Sequence, residues 1–524
     1  MLFTTYGFIG FVAAALVLYY ILPKRCQTAV LLLASISFYA FAGPQYLIYL
    51  FVTILSTYLA GGQMQKNFDV QKGYLAGHKD ALSREGKKQY KNRQKRRRRT
   101  YMVIAIVINI GILLVVKYAN FVIGNINDLG GHLTFLDIAL PLGISYYTLM
   151  SVGYMVDIYR GTITAEKSLI RYALFLSFFP HIVQGPISRY AEVSESLFAK
   201  HEFVPKNLVF GAERVLFGFF KKLVIADRLY PAVNTIASDP AGYRGAYIVC
   251  LMFFYTLELY ADFTGGIDIT IGVAEMFGVS LPENFIRPYF SKSLKEYWRR
   301  WHISMGTWFR DYLFYPIAMS SSMQSFSKFL RKHFGDYIGK RLPVYISSFI
   351  VWFMTGLWHG ANWTFITWGI LNYVILMISE ELEPLAERFH ARFIPAENRI
   401  YQGFMVVRTM LLVSMLKIFD CYTRVGDVFA SVGSVFTTAN YGIIKSGELL
   451  NIGLSVFDYI VIFAGTLFLF ILSLIQRSGS IREKLAKRTF IVRAAAVCTL
   501  FVAVILLGAY GVGYDASQFI YNRF

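Results

Sequence analysis

The chain has 524 residues, of which 56% are hydrophobic and 16% are charged. A soluble globular domain has about 25% charged residues, so this composition excludes an ordinary soluble protein. The net charge of +20 does not indicate a nucleic-acid-binding protein, because the basic residues are concentrated in short segments between long apolar runs. The four cysteines are far apart and have no CxxC spacing, so we predict neither a metal site nor a disulfide framework.

The first apolar run, at 8–22, predicts a membrane-spanning helix, because about 20 apolar residues cross about 30 Å of hydrocarbon. Its first basic residues, Lys24 and Arg25, follow the run rather than precede it. We therefore expect Met1 outside the cell and no cleavable signal peptide. Two further spans are predicted next, at 28–42 and 45–62.

A basic segment follows the third predicted span, and its densest part is SREGKKQYKNRQKRRRRT at 83–100. Lys and Arg resist translocation, so we predict that residues 65–100 are a cytoplasmic loop. This agrees with the orientation of the first helix. The loop could also attract anionic lipid head groups. A fourth span is predicted at 101–123.

Two apolar segments, 140–161 and 173–190, contain helix-interrupting residues. These are Pro141, Gly143 and Gly153 in the first segment, and Pro180, Gly185 and Pro186 in the second. Interrupted helices at membrane depth are tolerated only where protein or water surrounds the freed backbone groups. We therefore expect a funnel or re-entrant helices rather than a simple bundle.

Charged residues also occur in the next apolar regions. Lys221 and Lys222 lie near the end of an apolar run, where we expect the helix to meet the membrane interface. Asp262 and Asp268 are six residues apart, so they do not share a helical face. The two aspartates could be helix caps or could form an ion site, and we favour structural roles for both.

Five more spans are predicted near 343–357, 363–379, 401–419, 455–475 and 491–513. The segment between the last two is basic and is expected in the cytoplasm, which places the C-terminus outside. We predict an all-α polytopic membrane protein with about eleven to thirteen membrane segments in one domain, 1–524.

A histidine, His359, lies in the middle of an apolar segment, in the motif TGLWHGANW. An ionisable residue at such a place indicates a function, because a charged one costs about 2.5–3.5 kcal/mol to insert. Gly356 and Gly360 allow a close approach of backbone or ligand, and Trp358 and Trp363 can shield the ring from lipid. His359 is either a general base or a core histidine that bonds a neighbouring carbonyl.

Residues 294–317 combine tryptophans, arginines and a second histidine. If this segment is helical, four residues share one face at i, i+3, i+4 and i+7: Trp298, Trp301, His302 and Met305. The arginines lie elsewhere on the helix: Arg299, Arg300 and Arg310. At a membrane interface they could bind phosphate groups bidentately or could only snorkel.

These segments resemble the membrane-bound O-acyltransferase family, in its bacterial branch that acylates polysaccharides and teichoic acids. The resemblance rests on residues 281–317 and on GLWHGANWTFITWGILN at 356–372. Supporting motifs are LPLGISYYT, DIYRG, FFPHIVQGPISRY and GFFKKLVIADRL. The resemblance implies a ring of tilted and re-entrant helices around a central funnel and tunnel.

The resemblance also implies roles for individual residues. His359 matches the family's catalytic histidine, and His302 matches a second histidine that positions groups or lines the tunnel. We expect further contacts to the donor or substrate from Trp298, Arg299, Arg300, Trp301, Trp358 and Asn362.

The segment FIYNRF places Phe519, Tyr521 and Phe524 in an FxYxxF pattern. This is similar to the C-terminal motif of bacterial polysaccharide-acylating systems, in which the tyrosine is proposed to carry the acyl group. We therefore expect 514–524 to be an extracytoplasmic, acyl-carrying tail. The alternative is an aromatic anchor at the membrane interface.

The expected function is that of an enzyme in the bacterial cell membrane, which moves an acetyl group from cytoplasmic acetyl-CoA to Tyr521. The acetyl group then modifies a cell-envelope or secreted polysaccharide, whose identity stays open. The expected partner is a serine-type (SGNH) acetyltransferase outside the cell, and no bound cofactor is expected.

Two alternative functions compete with this expectation. A D-alanyl transferase for teichoic acid is disfavoured by the FxYxxF tail, because that system has its tyrosine on a separate small protein. A transporter without covalent chemistry fits the broken helices but leaves both histidine motifs unexplained.

Overall fold

A computed structural model describes residues 3–510, which form helices joined by turns and by longer loops such as 129–143. The chain is an all-α polytopic membrane protein, as predicted. Within residues 3–510, seven helices are long and apolar enough to cross a bilayer. They are Pro44–Gly77, Arg84–Asp128, Ala246–Met276, Ser321–His359, Trp363–Arg392, Val456–Ser478 and Phe490–Leu507. Other predicted spans, such as 401–419, are helical but fall short of this combination of length and apolar character.

The described residues divide into two compact units. The first comprises 3–211 and 270–282. Its helices are α1 (Tyr6–Ile21), α2 (Gln27–Ala40), α3 (Leu47–Gly77), α4 (Arg84–Asp128), α5 (Ile144–Arg160), α6 (Leu169–Ser177), α7 (Phe179–Ile182), α8 (Tyr190–Phe198) and the first part, 205–211, of α9 (Pro205–Phe219).

The second unit comprises 212–269 and 283–510. Its helices are α10 (Asp227–Ser238), most of α11 (Ala246–Met276), α12 (Leu294–Arg300), α13 (Ile303–Phe309), α14 (Tyr315–Ala318), α15 (Ser321–His359), α16 (Trp363–Arg392), α17 (Arg399–Lys417), α18 (Val425–Thr437), α19 (Ile443–Ser446), α20 (Val456–Ile475), α21 (Ile481–Ala486) and α22 (Phe490–Leu507). Two segments, Phe220–Ala226 and Arg310–Phe314, are π-helical.

The basic segment predicted as a loop, 65–100, is mostly helical. Helix α3 extends to Gly77 and α4 begins at Arg84, so only residues 78–83 are non-helical. Lys, Arg and Gln are good helix formers, which explains why the two helices continue through this polar sequence. Arg98 is buried between them and donates to two amide oxygens on α3.

Of the two apolar segments predicted to be interrupted, 173–190 is interrupted as expected. The other, 140–161, is interrupted only before its helix begins. Helix α5 runs without a break through Gly153, so the interruption expected there is wrong. The segment 173–190 is interrupted as expected, because α6 ends at Ser177 and the backbone leaves the helical region at Phe178. Gly143 precedes α5 with a φ of +67°, and a Cβ on it would lie 2.0 Å from the carbonyl oxygen of Ile182. Glycine is therefore required at this position.

Candidate active site

The hairpin of α15 and α16 presents His359 at its tip. Helix α15 ends at His359 and α16 begins at Trp363. Asn362 caps α16, because its side-chain oxygen accepts the backbone N–H of Thr364 at 3.0 Å. The histidine thus lies at the end of α15, which is kinked at Gly335, next to the tight turn that leads into α16.

Two glycines bring these helices into close contact just behind the histidine. A Cβ on Gly356 would lie 2.5 Å from the carbonyl oxygen of Phe365. A Cβ on Gly369 would lie 2.4 Å from the carbonyl oxygen of Trp352. Small residues at such a crossing let two membrane helices approach backbone to backbone. The sequence predicted a close approach near His359, and the structure places it between α15 and α16.

The imidazole of His359 lies among aromatic rings. Its centroid is 4.9 Å from that of Trp368 and 5.2 Å from that of Trp358, both edge to face, and the Phe365 ring is 6.3 Å away. The side chain is half-buried. These rings hold the orientation of the imidazole and leave one side of the residue on a cavity.

That cavity has a volume of about 30 Å³, which is room for about two water molecules on the same measure. Its lining is mainly apolar and aromatic but includes two ionisable side chains besides His359. The lining residues are Leu259, Tyr297, Trp298, Trp301, His359, Trp368, Asn372, Val413, Leu416, Lys417 and Asp420. A small, mostly apolar cavity with a few polar groups is typical of a site that binds a small ligand.

Two of the tryptophans predicted to contact substrate, Trp298 and Trp301, do line this cavity. The indole N–H of Trp298 donates to the side-chain oxygen of Asn372 at 3.1 Å. The Trp298 ring also lies 5.5 Å from that of Trp368, which contacts His359. The two sequence motifs that carry the family resemblance therefore meet at one place.

Residues 294–317 are not one continuous helix, so the condition for a shared face of Trp298, Trp301, His302 and Met305 is not met. Helix α12 ends at Arg300, Trp301 is extended, and His302 has a φ of +47° before α13 begins. Trp301 pairs instead with Phe285 in an isolated antiparallel bridge. This backbone pairing and the burial of the Trp301 side chain outweigh helical periodicity, which cannot indicate such a long-range contact.

The second histidine, His302, is fully buried and does not line the cavity. Its Nδ1 is 3.3 Å from the side-chain nitrogen of Asn284, and its ring centroid is 6.0 Å from that of Trp358. Burial, and secondarily the nearby His359, lowers the pKa of His302 well below its usual value. A neutral ring that supports Trp358 suits a positioning role.

The other predicted contact residues lie outside the cavity lining. Arg299 is exposed, and Arg300 forms a 2.6 Å ion pair with Glu296 one turn earlier on α12. Trp358 packs between the two histidine rings, and Asn362 acts as the cap of α16. The predicted tail, 514–524, with Phe519, Tyr521 and Phe524, lies outside the described residues.

Sequence reasoning missed two ionisable cavity residues, Lys417 and Asp420. A signal existed, because Lys417 interrupts the apolar run predicted as the span 401–419, and an ionisable residue in such a run indicates a functional site. Lys417 is only 5% exposed. The Nζ atom donates to the Tyr289 hydroxyl at 2.6 Å, and Asp420 accepts a hydrogen bond from the Tyr255 hydroxyl at 3.2 Å.

The charged pairs on the preceding helices have a structural explanation. Lys221 and Lys222 are buried rather than interfacial, which corrects the sequence expectation. Lys222 contacts Asp262 at 2.5 Å, and Lys221 forms an ion pair with Asp268. The π-helical turn at Phe220–Ala226 brings two consecutive lysines to carboxylates that the sequence alone left as caps or an ion site.

Comparisons with known proteins agree with this geometry. Residues 164–419 match the model of MBOAT, the membrane-bound O-acyltransferase family, and this range includes all the cavity-lining residues except Asp420.

Three similar relatives cover this chain to different extents. The probable alginate O-acetylase AlgI of Azotobacter vinelandii is 32% identical over 373 residues, 70% of this chain and 66% of that protein. The peptidoglycan O-acetyltransferase of Helicobacter pylori is 28% identical over 322 residues, 56% of this chain and 58% of that protein. The teichoic acid D-alanyltransferase of Bacillus subtilis is 30% identical over 243 residues, 45% of this chain and 58% of that protein.

The chain thus spans just under two thirds of the length of the first relative and less of the other two. The family match coincides with the region that builds the histidine cavity. From this match and these relatives, we conclude that the chain belongs to the membrane-bound O-acyltransferase family.

Proposed function

We propose that this protein is an O-acyltransferase that supplies acetyl groups for O-acetylation of a cell-envelope or secreted polysaccharide. The observation that carries the proposal is the position of His359 on a small, largely apolar cavity inside the family-matched region. Two similar relatives are named for O-acetylation of alginate and of peptidoglycan, which favours acetyl as the transferred group and a polysaccharide as its destination.

The volume of the cavity supports a small acyl group. About 30 Å³ accommodates a group with the size of two water molecules, which suits acetyl better than a fatty acyl chain. Trp298, Trp301 and Trp368 supply rigid walls that would exclude water from the reacting centre. An activated acyl group is thereby protected from hydrolysis.

In the proposed reaction, His359 acts as general base towards a phenol, whose pKa near 10 makes it a poor nucleophile at neutral pH. His359 takes the proton of Tyr521 while the phenolic oxygen attacks the carbonyl carbon of acetyl-CoA. The C–S bond then breaks, and the coenzyme A thiolate takes the proton from the imidazolium. The products are an acetyl-tyrosine ester and coenzyme A.

A second transfer completes the proposal outside the cell. The acetyl-tyrosine at Tyr521 donates its acetyl group to a serine-type (SGNH) acetyltransferase, which passes it to a sugar hydroxyl of the polysaccharide, and the tyrosine recovers its proton. This arrangement requires the orientation expected from the basic segments: N-terminus outside, residues 65–100 in the cytoplasm and C-terminus outside. A tunnel through the protein would let the acetyl group cross while coenzyme A stays inside.

The donor is tested by offering membranes that contain the protein either labelled acetyl-CoA or a labelled D-alanyl carrier protein. Label from acetyl-CoA on the C-terminal peptide, located by mass spectrometry at Tyr521, is the expected result. Label from the D-alanyl carrier alone would instead support the function named for the Bacillus subtilis relative. Label from neither donor would contradict the proposal.

The role of His359 as general base is tested by His359→Ala, which should lower the rate of acetyl transfer by about 10²–10⁴-fold. His78→Ala is the matched control, because His78 is exposed and lies outside the family-matched range. Both variants should reach wild-type levels in the membrane. Normal acetyl transfer by the His359 variant would overturn the assignment.

A further inference from the structure

Lys417 places a basic side-chain nitrogen on the same cavity as His359. Its nitrogen lies 4.0 Å from the centre of the Trp301 ring, 5.1 Å from that of Tyr289 and 5.9 Å from that of Tyr297. The Tyr289 hydroxyl accepts its hydrogen bond at 2.6 Å. Lys417 is thus held by aromatic faces and one hydroxyl rather than by a charged partner.

The surroundings of this ammonium group differ from those of the other buried lysines. Lys221 and Lys222 each form ion pairs with aspartates. For Lys417, no carboxylate oxygen of the described residues lies within 4.0 Å of the nitrogen. Asp420 lines the same cavity, one helical turn further along, but the Tyr255 hydroxyl donates to it. Asp420 therefore acts on the Lys417 nitrogen electrostatically but makes no ion pair with it. An ammonium group buried without an ion pair is retained at a cost, which indicates that its electric field has a function.

The size of the cavity restricts what this ammonium can bind. A space of about 30 Å³ is too small for the phosphates or the pantetheine arm of coenzyme A, since it holds only about two water-sized groups. The group that fits between His359 and Lys417 is the reacting acyl carbonyl. Its oxygen becomes negatively charged when the nucleophile attacks.

We infer that Lys417 is a catalytic residue, whose ammonium group stabilises the oxyanion formed on the acyl carbonyl during transfer. The inference rests on the proposed acyl transfer and adds a residue to it. In the first half of the reaction, the C=O π electrons move to the oxygen as the nucleophile bonds to carbon, and Lys417 hydrogen-bonds that oxygen. The electrons return as the C–S bond breaks, so Lys417 neither gains nor loses a proton over the cycle.

The aromatic surroundings explain how the charge stays available for this task. Trp301 and Tyr289 stabilise the cation through their ring faces without neutralising it, whereas an ion pair with a carboxylate would offset the field that the oxyanion needs. In a site from which water is excluded, such a preorganised charge acts strongly on a developing negative charge. The oxygen of the bound thioester carries little charge, so the effect falls on turnover rather than on binding.

The test is Lys417→Met, which keeps the length of the side chain and removes its charge. With the purified variant and wild type in detergent and labelled acetyl-CoA, the rate constant for acetylation of Tyr521, which is kcat for one turnover per chain, should be about 10²–10³-fold lower in the variant. The KM for acetyl-CoA should stay within about threefold. Lys445→Met, on the exposed surface of α19, is the matched control and should leave both constants unchanged. A kcat of the Lys417 variant equal to that of wild type would overturn the inference.

Two further variants test whether the effect of Lys417 comes from its charge rather than from proton transfer or from folding. Lys417→Arg keeps a permanent positive charge and should retain more activity than Lys417→Met. An equal loss in both variants would overturn the electrostatic role. Tyr289→Phe removes only the hydroxyl that holds the ammonium and should lower kcat by about tenfold. If the Lys417 variants do not accumulate in the membrane, an unchanged kcat of Tyr289→Phe overturns the inference.

The wild-type protein and His359→Ala, measured in parallel, separate this inference from the proposed function. Absence of acetyl transfer by the wild-type protein would defeat the proposed function and, with it, the inference. Transfer that requires His359 but is insensitive to Lys417 and Tyr289 would defeat the inference alone.

Discussion

The nitrogen of Lys417 lies 4.0 Å from the centre of the Trp301 ring, although the two residues belong to distant parts of the sequence. The contact depends on the break between α12 and α13, where Trp301 is extended and pairs with Phe285. A continuous helix would direct the indole along a helical face instead. The irregular backbone at Trp301 thus brings a ring, an ammonium group and a histidine to one cavity.

Enlarging the cavity should change acyl selectivity. Val413 lines it and is 3% exposed, so Val413→Ala should make room for a longer acyl chain. We expect the kcat/KM ratio of butyryl-CoA to acetyl-CoA to rise by about tenfold or more, because each methylene is worth 10–200-fold in a fitted pocket. Val428→Ala, equally buried but on α18 away from the cavity, should leave the ratio unchanged. A similar ratio in both variants would contradict the size argument.

The two histidines should differ in their contribution to turnover. His302 is fully buried, lies outside the cavity lining and adopts a left-handed backbone conformation, which asparagine also tolerates. His302→Asn should therefore lower kcat by no more than about tenfold, whereas His359→Asn should lower it by about 10²–10⁴-fold. Single-turnover measurements of acetyl transfer from labelled acetyl-CoA would compare them. Equal losses would place both rings in the chemistry.

The crossing of α15 and α16 should not tolerate a methyl group. Gly369→Ala would place a Cβ 2.4 Å from the carbonyl oxygen of Trp352, so we expect destabilisation by about 1–3 kcal/mol and reduced acetyl transfer. Gly403→Ala is the control, because no atom lies within 4 Å of the added Cβ. Thermal unfolding in detergent, followed by tryptophan fluorescence, should show a lower Tm only for the Gly369 variant. An unchanged Tm there would mean that the helices can separate without cost.

Removal of a buried lysine should be far more damaging than removal of an exposed one. Lys222 is 2% exposed and contacts Asp227 at 2.8 Å and Asp262 at 2.5 Å. Lys222→Met would remove this cation from two buried carboxylates, at a cost of about 3–5 kcal/mol. Lys24→Met, which breaks an exposed pair with Glu202, should leave Tm unchanged.

A double variant distinguishes two causes of the expected instability of Lys222→Met: carboxylates left without their cation, and lost packing. Lys222→Met combined with Asp262→Asn removes one of the uncompensated carboxylates, so part of the Tm loss should be recovered. If the double variant is less stable than Lys222→Met alone, the ion pair is not the source of the stability.

Several features of the molecule could be derived from the sequence alone. Long apolar runs must form helices, because no other single-chain segment satisfies its backbone hydrogen bonds in hydrocarbon. The all-α membrane fold and the apolar parts of the long helices follow from this. The bounds of four helices do not: α3 and α4 continue through basic sequence, α15 begins at Ser321 rather than near 343, and α16 ends at Arg392 rather than near 379. An ionisable residue within such a run is equally visible, and His359 was found in this way.

The sequence by itself determined the helices, the family motifs and the histidine at the end of α15, because hydrophobic length and local residue type are sufficient for these. Only the tertiary structure decided which side chains share the cavity. The extended residue at Trp301, the ammonium of Lys417 and the pairing of Lys222 with Asp262 depend on contacts between residues far apart in the chain. Helical periodicity contains no information about such contacts. They form because a buried polar group needs a partner, and the packing of the helices determines which partner is within reach.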